Sequence, residues 1–545
     1  MLPLTDDISS YSKEVAKGSL WSLLGNAFFK LSSFFYVILI ARMASPDDIG
    51  LFYLALAVLT IIELFSNFGF PMVMQRYVPY FEGKKEFGKV KYLLRVGYIL
   101  LTATGILAIA VLWLLSDTIA GIYHEPGLSE AIRLFALYII LNAILRLHTF
   151  YLQGRTDIKS MQFIGNAQNF LKLVITGILF YFYGTSVTIL IVGYLISLLL
   201  AIVISLRPLH RRIADLPGTI EKISKKEIVK EIAPFGVVMT LISMFWVVTS
   251  TFDRLLIGYL APNATEAVAI YSIAATFAGV LMLLPGSVGT IFLPLMSRLT
   301  AQKNFKDMRE ITETASRWAM LLSIPVAMVM MSFSGEILAI FYGEVYRTGG
   351  AVMAILTLAF LIRAFSFMLS QVLLALRKIM IEFKISLIVS IVNIILNIIL
   401  IPIYGMEGAA VATLVSLTLL YGLLHHYLKK IFDFTFSTQI YKIMLAGVIA
   451  FIPLFFLVPV IKSIDLPDIG TGDLQFVSSK IIYLIYLVAI ASLSVVFFLL
   501  AVLLLKCINR DDIILMKKAL KRFYAPDPLV NLAEKILSYG LEKKK

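Results

Sequence analysis

The chain has 545 residues, of which 60% are hydrophobic and only 15% charged, and it carries a formal net charge of +14. Soluble globular chains carry about 25% charge, so this composition excludes a soluble domain and reads as an integral membrane protein. Mean hydropathy is +0.91, and the basic excess reflects topology rather than nucleic-acid binding.

Fourteen apolar stretches are long enough to cross a hydrocarbon core of about 30 Å as helices. The predicted spans are 18–41, 48–74, 92–115, 131–153, 160–183, 186–206, 233–260, 266–297, 312–334, 350–376, 383–403, 407–428, 440–461 and 477–506. The expected fold class is an all-α polytopic membrane protein. A membrane barrel would show short alternating segments, and none are seen. The first stretch is long and others follow directly, so it reads as a retained anchor, not a cleaved signal. Cys507 is the single cysteine, which rules out an intramolecular disulfide and argues against a cysteine metal site.

Span 1 contains "GNAFFKLSSFFYVILI". Ser19, Ser22, Asn26, Lys30 and Ser33 recur every three or four residues, which draws one polar stripe on an apolar helix. Lys30 lies near mid-span, and its stem could snorkel only part of the way out. Span 2 carries Glu63 with Asn67 at i+4, then "SNFGFPMVMQRY" with Gly69 and Pro71. In span 4, Asn142, Arg146, Thr149 and Gln153 align, and His148 lies beside them. In span 5, Asn169, Lys172 and Thr176 form another stripe.

The basic stretch 207–231 follows span 6, and its second part reads as an amphipathic surface helix. Span 7 carries the neighbours Asp253 and Arg254, which point in different directions and need not pair. Span 8 contains "LLPGSVGTIFLP", with Pro285, Gly286, Gly289 and Pro294. The second helix of each half is thus interrupted, which points to moving or substrate-lining helices of a transporter, although a harmless kink reads the same way. Span 10 places Arg363 near its middle, and span 11 carries Ser390, Asn393 and Asn397. The tail segment 511–523 reads as a basic amphipathic helix on anionic headgroups or as a solvated one.

With the N-terminus inside, 38 of the 48 Lys and Arg lie in or at the edges of cytoplasmic segments, and five lie in outer segments. This bias supports an N-in, C-in topology. The chain also repeats. Residues 152–184 align without a gap to 373–405 at an offset of 221, and "ILIARMASPDDIGLFYLA" (38–55) resembles "LLIGYLAPNATEAVAIYSIA" (255–274). Spans 1–6 therefore correspond to spans 7–12 as parallel repeats, a transporter design with the substrate site between the halves. The predicted domains are an N-lobe at 1–206, a cytoplasmic linker at 207–232, a C-lobe at 233–430, spans 13 and 14 at 431–506, and a basic cytoplasmic tail at 507–545.

Eight ionisable groups are read inside the spans: Lys30, Glu63, Arg146, His148, Lys172, Asp253, Arg254 and Arg363. Each costs about 2.5–3.5 kcal/mol at the centre of a lone helix. Two acids cannot neutralise five bases. Water, backbone carbonyls or chloride would serve as further counter-charge, and so would an anionic substrate. Small polar stripes alone also act as helix–helix glue. Glu63 reads as a site for a coupling cation or proton, or as the partner of a cavity base.

No P-loop, ATP-binding domain or Cys/His metal cluster is present. The expected cofactor set is therefore empty, with energy from Na+, H+ or the membrane potential. Three stretches then carry a family resemblance: "LIARMASPDDIGLFYLA" (39–55), "TFDRLLIGYLAP" (251–262) and "NIILNIILIPIYGMEGAAVAT" (393–413). Over about residues 15–430 the chain resembles a flippase of the MOP superfamily, in the polysaccharide transporter branch that includes O-antigen flippases.

The resemblance implies two six-helix lobes that rock by alternating access around a cationic cavity. It implies a cell-membrane flippase for surface polysaccharide assembly. The substrate would be an oligosaccharide on a polyprenyl phosphate or diphosphate, moved from the inner to the outer leaflet. Its phosphate would be held by Lys30, Arg146 and Lys172 of the first lobe with Arg254 and Arg363 of the second, beside Asn26, Asn169 and Asn393. Glu63 and Asp253 would serve coupling or charge pairing. Gly69, Pro71, Pro285, Gly286 and Gly289 would be hinge positions. Partners would be the lipid-linked substrate, membrane lipids and polysaccharide-assembly enzymes, with no nucleic acid. Many O-antigen flippases have twelve spans; fourteen resemble the lipid II flippase branch, in which the extra pair helps form a lipid groove. Competing readings are an organic-cation exporter, which would want cavity carboxylates, and a membrane glycosyltransferase or polymerase, which usually needs larger loops. A scaffold without transport would leave the surplus cations unexplained.

Overall fold

The computed structural model describes residues 25, 28–217, 225–462, 473–508, 512, 513, 517 and 527–538. Asn26 lies outside these residues, as does most of the predicted tail helix at 511–523. The described residues are overwhelmingly helical. Ten helices among them are long and apolar enough to cross a membrane, which makes the chain a multi-pass membrane protein.

The helices are α1 (28–43), α2 (Pro46–Asn67), α3 (Phe70–Gly83), α4 (Phe87–Tyr123), α5 (Pro126–Phe135), α6 (Leu137–Gly154), α7 (Ile158–Tyr183), α8 (Val187–Ala214) and α9 (Lys225–Leu260). There follow α10 (Ala264–Ala278), α11 (Leu283–Ala301), α12 (Phe305–Ser332), α13 (Ser334–Tyr342), α14 (Gly350–Ala375), α15 (Ile379–Phe432), α16 (Thr438–Lys462), α17 (Asp473–Leu504) and α18 (Asp527–Ser538). Two compact units form. One gathers residues up to Phe277 with Phe341–Gly343 and Phe383–Ser416. The other gathers Ala278–Ile340, Glu344–Glu382 and the chain from Leu417 onward.

The "SPDD" motif is a helix start. Ser45 caps α2 by accepting from the Asp48 backbone N–H at 3.1 Å, Pro46 stands in the first turn, and Asp47 and Asp48 follow it. A hydroxyl cap, an early proline and early acids each suit the unpaired N–H groups at a helix N-terminus.

The interruption predicted in span 2 is present. Phe68 (φ 46°) and Gly69 (φ 63°) both take left-handed conformations, and α3 restarts at Phe70 with Pro71 in its first turn. The break frees backbone carbonyls. Thr104 of α4 donates to one of them, the Ser66 carbonyl, at 2.8 Å. A Cβ added at Gly69 would lie 2.4 Å from the Gly236 carbonyl oxygen of α9. Gly69→Ala is therefore expected to combine left-handed strain with overpacking, a loss of about 2–4 kcal/mol. Thermal unfolding in detergent tests this against Gly83→Ala, where an added Cβ meets nothing within 4 Å. Equal midpoints for the two variants would contradict the close approach.

Span 8 differs from the reading of its prolines. Its irregular turn is the 3₁₀ segment Gly279–Met282, and Pro285, Gly286 and Gly289 lie in the regular helix α11 that follows. Proline is tolerated in a first turn because its missing N–H would be unpaired there anyway. An added Cβ at Gly289 would meet the Phe367 ring at 2.5 Å, and Gly286 faces open space.

Spans 11 and 12 are the two arms of α15, which reverses at Gly405 (φ 58°, ψ −137°). That conformation is open to glycine. The basic stretch 207–231 is not a separate surface helix. Residues 207–214 finish α8, and residues from 225 onward run straight into α9. Ile228 and Ile232 of α9 are buried with Phe70, Val78 and Phe81 of α3. Tyr77 of α3 donates to the Glu231 carbonyl at 3.0 Å, fixing that junction. In the second unit α12 packs on α14, α16 and α17, so the two C-terminal helices have a direct neighbour there.

Candidate functional site

Glu63 sits one turn before the break in α2 and is 3% exposed. A buried carboxylate needs donors, and three reach it. Asn67 donates at 3.0 Å and Asn142 of α6 at 2.7 Å, and the Arg146 guanidinium stands at 3.6 Å. Of the two sequence readings, pairing with a base is the arrangement observed. The Arg146 side chain is 43% exposed, and its guanidinium also stands 5.7 Å from the Phe150 ring.

Lys172 of α7 is buried, with its amine 4.3 Å from the Tyr36 ring of α1 and 5.0 Å from the Tyr194 ring of α8. A ring face attracts a cation through its quadrupole, most strongly when both are out of water. The Tyr194 ring meets that of Tyr138 at 5.7 Å, and Tyr138 accepts from Asn142. One continuous set of side chains therefore joins Glu63 to Lys172. Asn169, one turn before Lys172, is buried and donates to the Gly165 carbonyl of its own helix at 3.2 Å. Lys30 lies on α1 and is exposed.

Asp253 of α9 is buried within neutral donors. Its Oδ1 accepts from Asn397 at 2.8 Å, and its Oδ2 from Tyr271 at 2.6 Å and Thr413 at 2.7 Å. Asn397 also donates to Asn393 Oδ1 at 3.2 Å, while the buried Asn393 Nδ2 has no hydrogen-bond acceptor among the described residues. Arg254 turns away from its neighbour, as read. It donates to Ser272 at 3.1 Å and stands 5.8 Å from the Tyr53 ring.

The repeat accounts for this geometry. At the two offsets found in the sequence, Tyr36 corresponds to Asp253, Lys172 to Asn393 and Thr176 to Asn397. The same helix crossing therefore occurs twice. In the first copy a base lies against a ring, and in the second a carboxylate accepts from an amide. One crossing carries a base and the other an acid, at positions that do not correspond.

Arg363 of α14 is buried. The buried Glu382, which accepts from Ser370, lies within its electrostatic reach. The sequence reading missed one buried cation. Arg317 of α12 is 3% exposed and donates to Asp512 at 2.8 Å and to Gln439 of α16 at 2.5 Å. It falls within the limits of predicted span 9, yet it was grouped with the adjoining loop; the span limits alone would have flagged it. Glu382 lies one residue outside predicted span 11, so the span limits do not flag it. His148 is buried between Tyr98 and Ser205, hydrogen-bonded to both.

Residues 39–349 match the family of polysaccharide biosynthesis proteins, and the chain belongs to it. Over 501 residues it is 21% identical to an uncharacterized membrane protein of Methanocaldococcus jannaschii, covering 89% of this chain and 97% of that one. Over 172 residues it is 32% identical to a probable flippase, AglR, of Haloferax volcanii, covering 31% of this chain and 36% of the relative. The solved structure of the lipid II flippase MurJ in an inward closed conformation superposes with a TM-score of 0.66 at 16% identity, covering 88% of this chain and 97% of that one. The resemblance to polysaccharide transporters read from the motifs agrees with the family match over residues 39–349, and the fold is shared with the flippase structure.

Proposed function

We propose that this protein is a transporter, not an enzyme, that carries a lipid-linked oligosaccharide from the inner to the outer leaflet for cell-surface glycan assembly. Lys172 is the observation that carries the reading. Its amine is buried against two tyrosine rings, and no carboxylate pairs with it among the described residues. A buried cation held by rings is poised for an anion from outside the fold. A polyprenyl phosphate or diphosphate supplies one, and flippases are among the relatives.

In this reading fourteen spans form an N-lobe and a C-lobe with two further helices, and both termini face the cytoplasm. The lobes alternate access around a cationic cavity. Lys30, Lys172, Arg146, Arg254 and Arg363, with Asn26, Asn169 and Asn393, hold the phosphate and saccharide. The break at Gly69 and Pro71 and the 3₁₀ turn Gly279–Met282, just before Pro285, Gly286 and Gly289, absorb the rocking. Asp253, ringed by oxygen and amide groups, serves the coupling ion, Na+ or H+, and Glu63 balances Arg146. Depletion of the protein, followed by mass spectrometry of the lipid extract, tests the reading. One oligosaccharide-bearing polyprenyl phosphate or diphosphate should accumulate. An unchanged pool of lipid-linked saccharides would overturn it.

A further inference from the structure

A cavity of about 1000 Å³ opens on the first unit, where the start of α1 meets the first turns of α7 and the last turns of α8. Its lining carries Lys159 on α7 and Arg207, Arg211 and Arg212 on α8, with one carboxylate among the described lining residues, Asp157. That carboxylate is already engaged. It caps α7 through the Ser160 backbone N–H at 3.2 Å and accepts from Arg212 at 2.8 Å. Burial acts to raise its pKa, but the bonds from Arg212 and Ser160 outweigh this and hold it below the usual carboxylate value. Asp157 therefore stays ionised and neutralises Arg212, and Arg207 and Arg211 keep this end of the cavity basic.

The two helices are ordered in the same way along their length. Lys159 is followed four residues later by Phe163, and Arg207 is preceded four residues earlier by Val203. Four residues are about 6 Å of helix rise. Phe163 is 64% exposed, Val203 56% and Phe28, across the cavity, 47%. Charge at the mouth thus gives way to bare apolar surface one turn deeper on both walls. A free anion would use only the first layer.

The geometry points to a site for an anionic glycerophospholipid, with its phosphate at Arg207 and Arg211 and its first acyl carbons against Phe28, Phe163 and Val203. Basic pockets between membrane helices hold anionic headgroups in this manner. The lipid is a resident one, separate from the transported substrate. Placing it in the cytoplasmic leaflet rests on the orientation proposed above; the binding experiment does not.

Native mass spectrometry of the full chain in a neutral detergent tests the site, with added phosphatidylglycerol or phosphatidylcholine. Wild type should retain phosphatidylglycerol in preference to phosphatidylcholine. Arg207→Gln with Arg211→Gln should weaken phosphatidylglycerol binding about 30-fold, with phosphatidylcholine binding and the thermal midpoint unchanged. Lysine at both positions should restore it. Equal retention of the two lipids by wild type would overturn the proposal. So would undiminished phosphatidylglycerol binding by the glutamine variant. Displacement of phosphatidylglycerol by an equal concentration of glycerol 3-phosphate would also overturn it, by reducing the site to one for a free anion.

Discussion

Lys172→Met should cut saccharide-lipid transport by about 10- to 100-fold while the protein stays inserted and folded. The amine lies 4.3 Å and 5.0 Å from two tyrosine rings inside a helix crossing. Methionine has a similar length and no charge, so it fills the same slot between the rings and removes the desolvation cost of the ammonium. The fold therefore has little reason to suffer. In the proposed function what disappears is a charge-assisted bond to the substrate phosphate, worth about 1.5–3 kcal/mol, which is the stated range in rate or affinity. Lys172→Arg keeps the charge and should retain part of the activity. The measurement is the flipping rate in proteoliposomes at matched protein abundance, with the detergent unfolding midpoint as control. A methionine variant that transports at the wild-type rate would remove Lys172 from the site.

Lys172 also shows how far the residue pattern reaches. Periodicity placed it on a polar stripe with Asn169 and Thr176, and all three are buried. The same argument put Lys30 on a stripe facing a wet cavity, and Lys30 is exposed where Lys172 is buried. A helical wheel gives relative direction on one helix and does not say which neighbour occupies that direction. For Lys172 the neighbours are α1 and α8, and contact between them is a property of tertiary packing. The break at Gly69 was legible because glycine and proline act locally. The break in span 8 was misplaced by about a turn, because Pro285 is accepted in the first turn of α11 without breaking anything. Asp253 was legible as a buried acid. Its three donors come from α10 and from both arms of α15, up to 160 residues away, and no local pattern links them.

The charge count over the spans changes with the structure. The sequence reading set five bases against two acids. Arg146 and Glu63 now offset each other at 3.6 Å. Arg363 lies within the field of Glu382, which stood just outside a predicted span. The missed base, Arg317, brings its own counter-charge. The surplus is therefore narrower than the sum suggested. Three bases, Lys30, Lys172 and Arg254, now stand against one acid, Asp253, and this concentrates the functional expectation on fewer side chains.

Arg317 supports the largest stability prediction. Its guanidinium and the Asp512 carboxylate are 3% and 4% exposed and stand 2.8 Å apart. Gln439 of α16 accepts a second guanidinium bond. The pair therefore ties α12 both to the first C-terminal helix and to the tail. Arg317→Met takes the guanidinium away from a buried carboxylate, and Asp512→Leu takes the carboxylate away from a buried guanidinium. Each single change should cost about 3–5 kcal/mol. The double change removes both charges together and replaces them with apolar groups, so it should recover most of that loss. The double-mutant cycle is the measurement, with denaturant unfolding in mixed micelles read at each corner. A coupling energy approaching the sum of the two single losses is expected, because each loss is mainly the cost of the partner left behind. Simple additivity of the two losses would show that the side chains do not meet. Single variants as stable as wild type would show that water reaches the pair, and the tail would then hang free of α12.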